Sequence, residues 1–150
     1  MTTQAALTRE QGAEFGPLYA SVQQFYAHQM QLLDLQEAER WADTFTEDAT
    51  FDVPTLAEPV RGRPGLIAAS RAAAARLAEA GERHRHFMGM FDVAQGPDGA
   101  LQVRSYTTVY ASVIGGESRV HRVCVCEDVL VREGGRLLVS MRRVTRDDLA

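Results

Sequence analysis

The sequence predicts an α+β fold in which a strongly curved, mostly antiparallel sheet wraps about three helices of the N-terminal half around a pocket. The hydrophobic period changes once along the chain, from helical spacing before Gly81 to strict alternation after it. The alternating half is divided by "GPDG", "GG" and "EGG", the short glycine loops of antiparallel hairpins. Two of its four strands span about 14 to 16 residues, well above the usual five or six, so the sheet has to bend. Helices followed by a meander of strands pack on one face of the sheet, and a bent sheet with helices on its concave side encloses a pocket.

The elements follow in order. "PLYASVQQFYAHQMQLL", from Pro17 to Leu33, sets Leu18, Val22, Phe25, Tyr26, Gln29 and Leu33 along one helical face, with Pro17 in the first turn. A second helix is expected from Leu35 to about Phe45. "ATFDVP" alternates as a short strand closed by Pro54, and "VRGRPG" reads as a turn. "LIAASRAAAARLAEAG" is a third helix by alanine propensity, ended by Gly81. The strands "HFMGMFDVAQ", "ALQVRSYTTVYASVI", "SRVHRVCVCEDVLVRE" and "RLLVSMRRVT" complete the chain. Residues 1–16 read as an N-terminal extension and 17–150 as a single domain.

Composition excludes several classes of function. With 150 residues and 45% hydrophobic content the chain can bury a core and a small-molecule pocket. A net charge of -4 argues against a nucleic-acid footprint, which requires a clustered basic surface. Every basic residue is arginine, so no Schiff-base lysine exists. No stretch approaches the roughly 18 apolar residues that span a bilayer, and the N-terminus lacks a signal-peptide pattern; a cytoplasmic location with no membrane partner is expected. Cys124 and Cys126 lie two apart on one strand face, where a mutual disulfide is strained, and read as small buried apolar residues.

Several strings carry a family resemblance: "LLDLQEAERWADTFTEDATFDVP", "PVRGRPGLIAA", "RHRHFMG" and the closing hairpin "LVREGGRLLVSMRR". Over roughly Leu18 to Thr145 the chain resembles the nuclear transport factor 2-like superfamily, and within it the SnoaL-like group that includes scytalone dehydratase, bile-acid dehydratases, ketosteroid isomerases and polyketide cyclases. The resemblance implies a cone-shaped α+β barrel, a cofactor-independent lyase of secondary metabolism acting on a hydroxylated cyclic or polyketide-derived ketone, no metal, and a homodimer or trimer. It places Asp34 where the dehydratases carry a catalytic aspartate and His86 where they carry its histidine partner. It also puts Thr107 in place of a second, water-binding histidine, and Leu33 and Val53 in place of two active-site tyrosines. Those departures leave the scytalone substrate itself without its polarising groups.

Asp34 and His86 each have a structural reading beside the catalytic one. "DLQE" has the form of a capping box, with Asp34 as N-cap and Glu37 three residues on. Against that, Asp34 shares i, i+4, i+7 and i+11 spacing with Ala38, Trp41 and Phe45, an apolar face on which a carboxylate needs a partner. A histidine held by a carboxylate within about 3 Å is fixed in one tautomer and can act as base and then acid. His86 and His84 point the same way, with Met88 and Met90; His84, between Arg83 and Arg85, belongs to the solvated strand end. For His86 the alternative is a core histidine bonded to a backbone carbonyl.

The other candidates follow from strand parity. Trp41, Phe45, Met88 and Met90 read as pocket wall or core. Val53 and Thr107 are wall positions by the resemblance, and His121 and Glu127, on one face with Val123 and Val125, are candidate substrate contacts, as are Tyr26, Tyr106 and Tyr110. A zinc site made from His84, His86, Cys124 and Cys126 is set aside, because same-face strand positions diverge from a single ion. The tail "RRVTRDD" reads as a solvated strand end or a subunit interface. A ketosteroid isomerase-like proton shuttle and a non-catalytic binding or assembly module remain as alternatives.

Overall fold

The computed structural model describes residues 13–149. The expected extension over residues 1–16 therefore lies, up to residue 12, outside the described residues. The chain runs α1 (Phe15–Asp34), α2 (Ala38–Ala42), β1 (Phe45–Asp52), β2 (Val60–Arg61), α3 (Gly62–Ala80), β3 (Glu82–Gln95), β4 (Leu101–Val113), β5 (Ser118–Glu133) and β6 (Arg136–Arg146). The six strands form one sheet in the order β2-β1-β6-β5-β4-β3. Every pairing is antiparallel except β1 with β6, so the α+β prediction and the four-strand meander both stand. No helix among the described residues is long and apolar enough to cross a membrane.

α1 buries Val22, Tyr26, Gln29, Met30 and Leu32, the stripe that helical periodicity demands. Val22, Tyr26 and Leu32 pack with Trp41, Phe45, Leu66, Val103, Leu130 and Val139 in one core. α3 ends where expected: Gly81 adopts φ 63°, the left-handed conformation that glycine enters without a Cβ penalty.

The second helix is much shorter than expected. Gln36 adopts φ 62°, and the chain turns there in a Schellman arrangement, with Glu37 N–H donating to Leu32 C=O (3.1 Å) and Gln36 N–H to Leu33 C=O (3.0 Å). Asp34 is thus the last residue of α1 and not the N-cap of the next helix. Glu37 takes the N-cap position of α2, without a side-chain cap bond. Phe45 opens β1 rather than closing a helix, and its ring is fully buried.

β-bulges redirect side chains that simple alternation misplaces. The β3–β4 register shifts between Gly89 and Asp92, and Met90 sits there at φ 56°. Met90 consequently faces solvent, at 77% exposure, where the sequence put it in the pocket wall or core. Phe91 turns inward instead and stacks on Tyr26, with centroids 4.9 Å apart and planes 11° apart.

Candidate functional site

Between the helices and the concave sheet face lies a cavity of about 350 Å³, inside the range of small-ligand sites. Its walls are mainly apolar: Met30 and Leu33 from α1, Trp41 from α2, Phe51 from β1, Leu66 from α3, and Met88 and Val109 from the sheet. His86 reaches it from β3, because residues 82, 84, 86 and 88 share the half-buried side of that strand while residues 83, 85 and 87 are exposed.

Asp34 stands behind the His86 ring. Its Oδ1 lies 2.6 Å from His86 Nδ1, and its Oδ2 accepts a 3.1 Å hydrogen bond from the backbone N–H of His86. Both carboxylate oxygens are therefore committed to one residue, which fixes the strand as well as the ring. The position of Asp34 explains the need for this partner. A carboxylate in the last turn of a helix faces the negative end of the macrodipole, so it gains nothing from its own helix and is compensated from β3. The Asp34 side chain is 9% exposed and that of His86 23%. With the aspartate ionised, Nδ1 carries the proton toward Asp34 and Nε2 is the free ring nitrogen.

The remaining sequence candidates divide into two groups. Trp41, Val53, Met88 and Thr107 line the cavity with His86. Phe45 does not: it packs edge-on to Trp41 at 4.9 Å and forms core behind the wall. Glu127 is exposed on the outer sheet face, opposite Arg104 of β4 and Arg143 of β6. His121 falls in the β4–β5 register shift between Val109 and Tyr110, which turns its ring against His84 at 4.8 Å, away from the face it was expected to share with Val123. Neither Glu127 nor His121 is a wall residue. Desolvation and the charge of His121 push His84 below the ordinary imidazole range, and desolvation with Arg122 and Arg119 nearby does the same for His121. Tyr26 is buried in the core, while Tyr106 and Tyr110 are exposed. Among the described residues, no group of three or more His, Cys, Asp or Glu side chains stands close enough to hold a metal.

Several wall residues were not read as pocket contacts in the sequence. Cys124 and Cys126 are free thiols on the cavity face of β5, with Arg122 two positions before them on the same face. Burial raises the pKa of both thiols, so they meet the cavity as neutral groups. Arg142, from the tail read as solvated or interfacial, is instead 3% exposed and lines the cavity floor. Its Nε and Nη2 donate to Asp128 at 2.9 and 2.8 Å, and Nη2 donates to Gln29 at 2.5 Å. Tyr26 donates to Asp128 Oδ2 at 2.7 Å, and Gln29 passes the network on to Thr44 at 2.7 Å. Strand parity held the signal: Asp128 falls on the face of Cys126 and Leu130, directly opposite Arg142. Two opposite charges on one buried face call for each other.

A curved six-strand sheet with the helices of the N-terminal half packed against it is the nuclear transport factor 2-like cone. Residues 17–143 match the model of the SnoaL-like domain, and the chain belongs to that family. The fold is similar to that of ActVI-ORFA from Streptomyces coelicolor, with 31% identity, a TM-score of 0.83 and coverage of 90% of this chain and 98% of that one. It is also similar to a structure from Catenulispora acidiphila in complex with S-DNPA, at 36% identity and a TM-score of 0.77, covering 89% and 96% of the two chains. Among curated proteins, the anthranilate 1,2-dioxygenase small subunit of Burkholderia cepacia is 28% identical over 125 residues, which cover 77% of this chain and 78% of that protein.

Proposed function

We propose that this protein is a cofactor-independent dehydratase or cyclase acting on a hydroxylated cyclic or polyketide-derived ketone. The observation that carries the reading is the 2.6 Å contact between Asp34 and a histidine ring open to an apolar cavity. In this mechanism Nε2 of His86 takes the proton alpha to the carbonyl while Asp34 stabilises the imidazolium that forms. The protonated ring then returns the proton to the departing β-hydroxyl, which leaves as water. If the enolate instead attacks a carbonyl within the same molecule, the same acid and base close a ring. The dry walls favour both steps, because Coulomb stabilisation of the ion pair is stronger where water is excluded. Binding of S-DNPA by a relative supports a small-molecule role for the cavity.

The first step is testable without the natural substrate. A β-hydroxy ketone incubated with the protein in D2O should exchange its α-proton, followed by NMR, and lose water, followed by mass spectrometry. Both should disappear in folded His86→Ala. Exchange that persists in that variant would overturn the reading.

The likeness to a dioxygenase small subunit favours a second reading, in which the chain is a non-catalytic module of an assembly. On that reading the pair is structural and no α-proton exchange occurs with any ketone. A homodimer or trimer is compatible with either reading, and sedimentation velocity distinguishes these states.

A further inference from the structure

We propose that His84 and His121 form a proton path between solvent and His86, through which a proton taken up by His86 exchanges with bulk water while the cavity stays closed. This rests on the reading of His86 as a general base and adds the route by which that base is set free again.

Three imidazoles descend from the surface to the cavity. His121 on β5 is exposed, His84 on β3 is half-buried, and His86, two residues further along β3, lines the cavity. The His84 and His121 rings meet with centroids 4.8 Å apart, and His84 stands edge-on to His86 at 6.5 Å. The strand between β3 and β5 permits this meeting. Opposite His84, β4 carries Ala111, which is fully buried and sets only a methyl group beneath the two rings. The register shift between Val109 and Tyr110 then turns His121 toward His84. The first contact is direct, and a 6.5 Å separation of ring centres is the span of one bridging water.

The cavity itself offers no other exit for the proton. Asp34 occupies Nδ1 of His86, so Nε2 is the nitrogen that gains a proton and has to lose it. The other titratable wall residues are arginines, which do not release a proton, and Cys124 and Cys126, which burial keeps neutral. His84 and His121 have the opposite character. Desolvation first, then neighbouring positive charge, holds both rings below the ordinary imidazole range. Of the groups facing them only Glu82 favours protonation, and Arg119 holds it at 3.0 Å; His86, Arg119, Arg122 and Arg146 oppose it. Both rings are thus neutral near pH 7 and pass a proton on instead of retaining it. In each transfer one N–H or O–H bond breaks as the next forms, and the last proton goes to solvent from His121.

Incubation with 3-hydroxycyclohexanone in D2O tests the path, with α-proton exchange followed by NMR and water loss by mass spectrometry. Water loss hands the abstracted proton back within the ligand, whereas exchange requires it to reach solvent, so the ratio of exchange to water loss isolates the path. Wild-type exchange should not depend on the concentration of imidazole buffer. In His84→Phe the ratio should fall about tenfold, and imidazole buffer should restore it by carrying the proton in place of the missing ring. His84→Gln serves the same purpose if the phenylalanine variant does not fold. A ratio unchanged in the variant, a loss that imidazole does not restore, or wild-type exchange that climbs with buffer overturns the proposal. Wild-type water loss without exchange overturns it as well and leaves His86 standing as the base. Absence of both reactions in the wild-type chain would sink the base and its path together.

Discussion

Asp34 Oδ1 and His86 Nδ1 lie 2.6 Å apart across 52 residues of chain, and the second oxygen of the same carboxylate holds the backbone N–H of His86 at 3.1 Å. The two contacts separate under mutation. Asp34→Asn keeps an oxygen for the backbone amide but loses the anion that fixes the ring tautomer. We expect this variant to fold and to lose roughly 10²-fold or more of its α-proton exchange rate, the scale of a general-base contribution. Exchange measured by NMR in D2O is the check, and a variant within about twofold of wild type would show that the carboxylate only anchors β3.

The buried Asp128–Arg142 pair predicts a stability effect distinct from any loss of activity. Their side chains are 1% and 3% exposed, and Arg142 is held above its already high pKa by the carboxylate, which more than offsets desolvation. Removing one partner strands the other charge in the core. Arg142→Met should cost about 3–5 kcal/mol in urea unfolding, whereas Asp128→Asn with Arg142→Met together should cost less than the two single losses added. Additive losses would mean that the two side chains act independently.

Tyr26 joins the same network and sets an alkaline limit. Burial foremost, then the charge of Asp128, pushes its phenol well above the ordinary value of 10.0. The folded state therefore keeps a proton that the unfolded chain releases, so this contribution to stability is full below about pH 10 and declines as the pH rises further. Cys126 shifts in the same direction from 9.0 and steepens the decline. Tyr26→Phe should flatten the fall in urea midpoint between about pH 9 and 11; an unchanged slope would assign the alkaline loss to other groups.

Much of this architecture was legible from period alone. Alternation gave four strands, and the inward direction of His86 and Met88 followed from the same period of two. What sequence could not carry were the places where the period breaks. A left-handed Gln36, two residues after Asp34, ends α1 and cancels the capping box, since glutamine gives no warning of the turn that glycine would have marked. Bulges at Met90 and His121 each flip a face, exposing the first and turning the second against His84. Arg142 was missed for another reason: an arginine near a chain end is usually solvated, and only its cross-strand position opposite Asp128 marks it as buried.

His84 and His121 predict the acid side of the stability curve. Their rings lie 4.8 Å apart, and desolvation, followed by neighbouring positive charge, lowers both from 6.5. The groups facing them are His86, Glu82, Arg119, Arg122 and Arg146, of which only Glu82 favours protonation. For depressed values the sign is fixed: the folded state binds fewer protons than the unfolded chain, so the contribution is complete above about pH 6.5 and is lost as pH falls through the folded values. Urea midpoints should therefore drop as the solution is taken below about pH 6.5. His121→Gln should reduce that drop and move the His84 ring titration, followed by NMR, back toward 6.5. A His84 titration curve that does not move would leave the pair uncoupled and assign the acid sensitivity elsewhere.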